Sequence, residues 1–432
     1  MIHQTSKLYA LFKRYVKFTH RLFYKKIYVS GLENIPVGDP VIFGPNHQNA
    51  LMDPLAVLLT TPLQPVFLAR ADIFKSSINR PVLRFLKILP VYRVRDGIKS
   101  LGNNDSTFNE SIGVLEAKKQ LALFPEARHH GQNFLLPLKK GIPRIALMAE
   151  EKHNFNLNLK IVPVGIHYSN YFGFKADIWV NYGKPILVDE LKTSYAENPQ
   201  QTHIILRDKI AEGIKPLMLN IEDTERYNET ELLLNLEETV QNKKHTRDYL
   251  RSAQTFIRNL SDLSTEKKDT LLSDANLLLE KLKNLSLGPS DLSVSNKPRF
   301  LTYLELILGL PLCIAGYLPT RLFTVPPWFL YRNLKDRQFE SSYKYMFMLL
   351  GAPVSYALFA FVISPLILSS DIWISILVFF ALFFIGSYTL RYLNLLKTTW
   401  RYFLISRKIT VLKVDINNLK SQLKISLSER QE

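Results

Sequence analysis

Residues 41–54 read Val-Ile-Phe-Gly-Pro-Asn-His-Gln-Asn-Ala-Leu-Met-Asp-Pro. The unbroken apolar run at 41–44 suits a strand buried on both faces, the kind a parallel sheet contains. The run breaks at Pro45 into a polar turn, and Asp53-Pro54 then forms a helix-start pattern, Asp as N-cap with Pro at the first helical position. Strand, turn and helix are the repeating unit of α/β architecture. In open α/β sheets functional residues collect in such turns, beyond the carboxyl ends of the strands. His47 just past a strand with Asp53 nearby meets the needs of a general base and its orienting carboxylate. Asp53 reads at least as well as a plain helix cap. The two roles are compatible, because one carboxylate oxygen can cap while the other accepts from imidazole.

Outward from this stretch, β-like runs at 26–29, 66–69, 120–124, 160–166 and 178–182 alternate with helical stretches such as 108–119 and 142–150. That alternation predicts an α/β domain over 27–220. Three further clusters carry chemistry-bearing side chains. Leu89-Pro-Val-Tyr-Arg93-Val-Arg95 delivers Arg93 from a strand-like edge, a planar donor suited to phosphate. Leu123-Phe-Pro-Glu126-Ala-Arg128-His129-His130-Gly131 ends a strand on a carboxylate that suits substrate hydroxyls, and Arg128 with Lys139-Lys140 downstream adds anion-binding charge. Ile161-Val-Pro163-Val-Gly-Ile-His167 is an apolar strand with Pro163 near a bend; core packing is the commoner reason for such a strand, and a lining for an apolar channel is the other.

The chain has 432 residues, with 55 Lys and Arg against 38 Asp and Glu, a formal charge of +17. Hydrophobic residues at 47% exclude a disordered chain, and the single cysteine, Cys313, excludes a disulfide scaffold and any cysteine-built metal site. The excess charge suits nucleic acid, an anionic membrane surface or anionic substrates, and its distribution discriminates among them. Seven Lys and Arg precede the first acid, Glu33, interleaved with Leu8, Leu11, Phe12, Val16, Phe18, Leu22 and Phe23. This is a basic amphipathic helix over 1–26, suited equally to a headgroup layer and to packing on its own domain. The N-terminal stretch lacks the apolar run of roughly 7–15 residues that a signal peptide requires, so export by cleavage is not expected.

The C-terminal third favours the membrane. Residues 345–370 are uncharged, and after Asp371 the run 372–390 is uncharged again. Each is long enough to cross a ~30 Å hydrocarbon core, so 344–397 reads as two transmembrane helices. Lys335, Arg337 and Lys344 flank one outer end and Arg391, Lys397 and Arg401 the other, which by the positive-inside rule hangs the hairpin from the cytoplasmic face and leaves 398–432 as a basic cytoplasmic tail. A third apolar stretch within 300–333 is broken by Pro311, Pro319, Pro326 and Pro327 and carries Arg321, which favours a re-entrant or interfacial hairpin. Residues 221–290 are polar with recurring leucines, an amphipathic helical insert interrupted near Ser264-Thr265 and closed by Gly288-Pro289.

Taken jointly and in order, the blocks NHQNALMD (46–53), LPVYR (89–93), FPE (124–126) and IVPVGI (161–166) resemble those of the glycerolipid acyltransferases, which acylate glycerol-3-phosphate and 1-acylglycerol-3-phosphate; Tyr182-Gly-Lys-Pro-Ile186 is similar to the strand end that follows in many members. The likeness covers 27–190. Two departures stand out. Five residues, 48–52, separate His47 from Asp53 where the family usually has four, a spacing similar to that of the fungal glycerol-3-phosphate and dihydroxyacetone-phosphate branch. Ala127 replaces the glycine of the family's FPEG block, with His129-His130 close behind, so a positive φ there would strain the turn.

The resemblance implies a glycerolipid-acyltransferase-like α/β domain in a membrane-bound enzyme of phospholipid synthesis. It implies a ternary-complex reaction without an acyl-enzyme: His47 takes the acceptor's hydroxyl proton and Asp53 holds the imidazole tautomer. Arg93 grips the acceptor phosphate, Glu126 its glycerol portion, and Arg128 and Lys139 add phosphate contacts, while Pro163 lines an acyl or pantetheine channel. Acyl-CoA or acyl-carrier protein serves as co-substrate, and neither a metal nor another cofactor is expected. Partners are then the thioester, the glycerol phosphate or lysophosphatidate, and membrane lipids. Nucleic acid is not expected, because no recognition motif accompanies the charge. A metallohydrolase through His47, Asp53, His129, His130 and His167 lacks any metal-ligand spacing such as His-Glu-x-x-His. A non-enzymatic membrane scaffold, or acylation of another lysophospholipid, are the alternatives that remain.

Overall fold

The computed structural model describes residues 2–4, 6–74, 76–77, 79–92, 103–294, 298, 300–334, 336–368 and 371–428. Two compact units emerge: Met1–Arg21, Lys26–Tyr171 and Asp177–Met218 in the first, Leu22–Lys25, Phe172–Ala176 and Leu219–Glu432 in the second.

The first unit runs α1 (Lys7–Phe23, its last two residues in the second unit), β1 (Lys26–Ser30), β2 (Val41–Pro45), α2 (Met52–Thr60), β3 (Val66–Arg70), α3 (Asn79–Phe85), β4 (Ile88–Val91), α4 (Asn103–Glu116), β5 (Gln120–Ala122), α5 (Gly141–Lys152), β6 (Lys160–Tyr168), β7 (Asp177–Tyr182), β8 (Ile186–Leu187), α6 (Lys192–Glu197) and α7 (Pro199–Ile214). The strands order as β1-β7-β6-β2-β5-β3-β4, with β8 pairing β6. From β6 through β2, β5, β3 and β4 every pairing is parallel, whereas β7 runs antiparallel to β6. β2 is buried at all five positions, and β6 at every position but the first, because helices cover both faces of this centre. Ile42, Leu121, Ile142, Ile161, Leu206 and Ile210 meet in one core that joins β2, β5 and β6 to α5 and α7. All the parallel strands end on the same side, so the loops after β2, β4 and β5 share one rim.

Helix α1 packs within this unit. Its buried face carries Tyr9 and Val16, and Lys13 turns inward to donate to Thr61 O at 3.2 Å and Leu63 O at 2.6 Å.

The second unit continues with α8 (Tyr227–Leu236), α9 (Glu238–Asn242), α10 (Tyr249–Ser261), α11 (Thr265–Asn284), α12 (Pro289–Val294), α13 (Phe300–Leu308), α14 (Leu310–Thr324), α15 (Pro326–Tyr331), α16 (Phe339–Leu358), α17 (Ser364–Leu368), α18 (Ile372–Val411) and α19 (Lys413–Ser428). A π-helical turn, Phe359–Ile363, joins α16 to α17, giving a 29-residue apolar helix over Phe339–Ile367. That helix and α18 are each long and apolar enough to cross a membrane. α13 and the helix that follows bend by 62° around Gly309, the geometry of a broken span or a re-entrant loop. α18 runs 40 residues without a break at 397, so the tail begins as a continuation of the same helix. Within this unit Lys281 pairs with Asp415 at 2.8 Å, Lys408 donates to Leu285 O at 2.9 Å, and Arg401 makes a two-pronged contact with Asp291 at 3.0 and 2.9 Å.

Candidate active site

β2 ends at Pro45, and Asn46 extends its line. The Asn46 side chain donates to Ile166 O at 3.0 Å and accepts from Ile166 N–H at 2.7 Å, prolonging the β2–β6 ladder by one rung. The chain then turns away, and His47 is held at the rim. Asp53 lies beneath it, fully buried, with the His47 ring 15% exposed. Asp53 Oδ2 meets His47 Nδ1 at 2.9 Å and accepts the backbone N–H groups of Gln48 and Asn49, both at 2.7 Å. Its Oδ1 accepts the Tyr168 hydroxyl at 2.7 Å.

The cap reading of Asp53 is therefore corrected. α2 begins at Met52 with Leu51 as its N-cap, so Asp53 and Pro54 fall inside the first turn. Both carboxylate oxygens face back into the loop and across to β6, because the Gln48 and Asn49 N–H groups, buried with no ladder partner, need acceptors there. Three donors besides the imidazole already point at this carboxylate, so it acts toward His47 as an acceptor. The proton of a neutral His47 then sits on Nδ1, and Nε2 keeps its lone pair.

Glu126 follows β5 and reaches the same loop. Its side chain is fully buried, Oε1 accepting His47 N–H at 2.5 Å and Oε2 accepting Leu136 N–H at 2.9 Å, with His130 Nε2 3.5 Å from Oε2. This carboxylate thus ties three segments together, each of its oxygens accepting a backbone N–H. Phe124 and His129 flank the His47 ring at centroid distances of 4.3 and 5.2 Å. Ala127 closes the turn by donating to Phe124 O at 3.2 Å and does so with φ at +58°, the left-handed conformation that a glycine would adopt without strain.

The other sequence-predicted residues are distributed as follows. Arg128 and Lys139 are exposed on the segment after β5. Arg93 lies outside the described residues. Pro163 is buried in β6, where a Cβ on Gly213 of α7 would come within 2.6 Å of its ring. His167 is buried against the Trp179 ring at 5.5 Å, and burial lowers its pKa from 6.5 to about 4. Among the described residues, no three His, Cys, Asp or Glu side chains converge as metal ligands.

Two participants escape a reading of the sequence. Asn46 stands inside the quoted block, yet nothing in its spacing shows that it bridges strands. Tyr168 lies 115 residues from Asp53 and reaches it only because β6 pairs beside β2.

Residues 26–167 match the family described as Acyltransferase. Glycerol-3-phosphate O-acyltransferase 2 of Saccharomyces cerevisiae is 30% identical over 122 residues, 28% of this chain and 16% of that protein. Glycerol-3-phosphate O-acyltransferase 1 of the same yeast is 31% identical over 108 residues, 24% and 14% of the respective chains. The chain therefore spans under a fifth of either yeast protein. A 1-acyl-sn-glycerol-3-phosphate acyltransferase of Borreliella burgdorferi is 28% identical over 200 residues, 45% of this chain and 74% of that one. Among solved structures, the 1-acyl-sn-glycerophosphate acyltransferase PlsC of Thermotoga maritima aligns with a TM-score of 0.34 at 20% identity, over 48% of this chain and 79% of that one.

Proposed function

We propose, from the premise that residues 26–167 are a domain of the acyltransferase family, that this chain moves an acyl group from a thioester to a hydroxyl of glycerol-3-phosphate or 1-acylglycerol-3-phosphate. The observation that carries the reading is the contact of 2.9 Å between His47 Nδ1 and the buried Asp53 carboxylate at the carboxyl end of β2. Asp53 keeps the proton on Nδ1, and Nε2 is left to take the acceptor's hydroxyl proton as the O–C bond forms at the thioester carbonyl. The C–S bond then breaks, and the thiolate recovers the proton from the imidazolium. General-base assistance contributes typically 10²–10⁴-fold, and positioning supplies much of the remainder.

Glu126 serves here by holding the His47 backbone in place, Arg128 and Lys139 by meeting the acceptor phosphate, and Arg93 by the same charge. Coenzyme A or acyl-carrier protein carries the donor. The two apolar helices anchor the enzyme as a membrane hairpin, with the catalytic unit on the cytoplasmic face, the side on which the flanking Lys and Arg gather.

Membranes containing the chain are supplied with glycerol-3-phosphate and 1-acylglycerol-3-phosphate in parallel, each with acyl-CoA and with acyl-carrier-protein donors. One acceptor gains an acyl chain, and His47→Ala abolishes the transfer while membrane association persists. Transfer that survives His47→Ala, or is lost to chelators in the wild type, rejects the mechanism.

A further inference from the structure

The parallel strands have two ends, and the one away from His47 gathers positive charge. β5, β3 and β4 lie side by side in that order, and the segments leading into them hold Lys119, Gln64 and Lys87. Lys119 and Lys87 therefore flank the entry to β3. Lys87 is 3% exposed, its ammonium donating to Gln64 Oε1 at 2.9 Å and lying 4.9 Å over the Tyr9 ring. Helix α1 passes the same place. Lys13, one turn after Tyr9, donates to Thr61 O at 3.2 Å and to Leu63 O at 2.6 Å, so the two ammoniums are held by the adjacent residues Leu63 and Gln64.

These cations repel one another. Burial, with Lys17 and Lys87 adding to it, lowers the Lys13 pKa to about 8. Burial and then Lys119 lower that of Lys87, and burial and neighbouring positive charge, Lys119 and Lys87 included, lower that of His3. Among the described residues no carboxylate counters Lys13, Lys87 or His3. An ammonium has three N–H donors, of which Lys13 uses two and Lys87 one. Beside them Tyr9 is 2% exposed, and its hydroxyl has no hydrogen-bond partner among the described residues. An unpaired buried hydroxyl and a group of uncountered cations each cost free energy, and a single oxyanion accepting from both relieves them together.

We propose that Lys13, Lys87 and Lys119, with His3 and the Tyr9 hydroxyl, form a second anion site that holds a phosphate group at the end of the sheet opposite His47. Phosphate fits because it brings up to two negative charges and four acceptor oxygens to donors that approach from α1 and from the turns before β3, β4 and β5, whereas chloride brings one charge and no direction. The site does not depend on the chemistry at His47. Its occupation ties α1 to three turns of the sheet, so binding is read as stability of the first unit.

The test follows thermal unfolding of the full chain in a neutral detergent, with sodium phosphate compared with sodium chloride at equal ionic strength. Phosphate raises the unfolding midpoint saturably, by roughly 3–6 °C at about ten times its dissociation constant, and chloride does not. The rise persists in Arg128→Ala with Lys139→Ala, which separates this site from phosphate contacts on the His47 rim, and it is lost in Lys87→Met with Lys119→Ala. Lys119 is exposed, so Lys119→Ala alone keeps the fold. It raises the phosphate concentration needed for half the effect several-fold, and without phosphate it unfolds no earlier than the wild type, because a repelling charge has gone. Short-chain phosphatidate offered in place of phosphate identifies the source: a rise with both shows that the free anion suffices, and a rise with phosphatidate alone, removed by Lys87→Met with Lys119→Ala, assigns the phosphate to a lipid headgroup. The proposal is overturned if chloride matches phosphate, if the rise survives Lys87→Met with Lys119→Ala, or if Arg128→Ala with Lys139→Ala abolishes it.

Discussion

Replacing Ala127 by glycine should stabilise the first unit. Ala127 holds φ at +58° in the turn after β5, where its N–H closes onto Phe124 O at 3.2 Å. The left-handed conformation costs an L-residue with a Cβ about 1–2 kcal/mol. Glycine removes that strain but loses more backbone freedom on folding, an opposing cost of roughly 0.5–1 kcal/mol. The side chain is exposed, so no packed methyl is lost. The difference is a net gain of about 0.5–1 kcal/mol, worth a rise of roughly 1–4 °C for a domain of this size. Trp179 is the one tryptophan of this unit, so urea unfolding followed by its emission, with Trp328, Trp373 and Trp400 changed to Phe, reads the effect directly. The Glu126 contacts involve no Ala127 side-chain atom, and acyl transfer should be unchanged. A loss of stability of about 0.5–1 kcal/mol, the ordinary penalty for glycine where φ is negative, would refute the strained-turn reasoning.

Asp53→Asn leaves an amide where four donors converge, so kcat should fall by on the order of 10³-fold or more, with purified protein still binding acceptor; equal losses in kcat and binding would point to collapse of the loop instead. Tyr168→Phe removes one hydrogen bond to a charged group, worth about 1.5–3 kcal/mol; combined with Asp53→Asn its effect on kcat should be far less than additive, and full additivity separates Tyr168 from the dyad. Burial lowers the His167 pKa from 6.5 to about 4, so below pH 6.5 the unfolded chain binds a proton that the folded chain refuses. Stability therefore declines as pH falls through this window, and between about pH 6.5 and 5 the wild type should lose about 2 kcal/mol more than His167→Gln, as measured by urea titrations at each pH. In the second unit, Asp291→Asn weakens the two-pronged contact with the half-exposed Arg401 and should cost about 0.5–1 kcal/mol, and Arg401→Lys, which keeps the charge and loses the fork, should cost a similar amount in a thermal-unfolding comparison.

The strands were legible because their signal is local. The run at 41–44 and the apolar stretch at 160–166 need only their own composition to announce a covered sheet, and both emerge as central strands, Val41–Pro45 and Lys160–Tyr168. The interruption near Ser264-Thr265 was legible as well, and α11 begins there at Thr265. Which of its two roles Asp53 takes was not: its spacing from His47 allows both an orienting carboxylate and a cap, and only the demand of two buried N–H groups for an acceptor turns the carboxylate inward.

What a chain writes into its sequence is the periodicity of burial and the chemical identity of the groups it can bring to bear, here an imidazole, two carboxylates and a basic, apolar N-terminal helix. Tertiary structure alone decided which of these groups meet. Glu126 reaches the His47 amide across 79 residues and Tyr168 reaches Asp53 across 115, because parallel strands align distant loops on one rim. It also decided that Pro163 packs beside Gly213 and that Lys13 of α1 turns inward to the carbonyls of Thr61 and Leu63. Such outcomes depend on which surfaces neighbouring elements leave open, a quantity that no stretch of sequence contains.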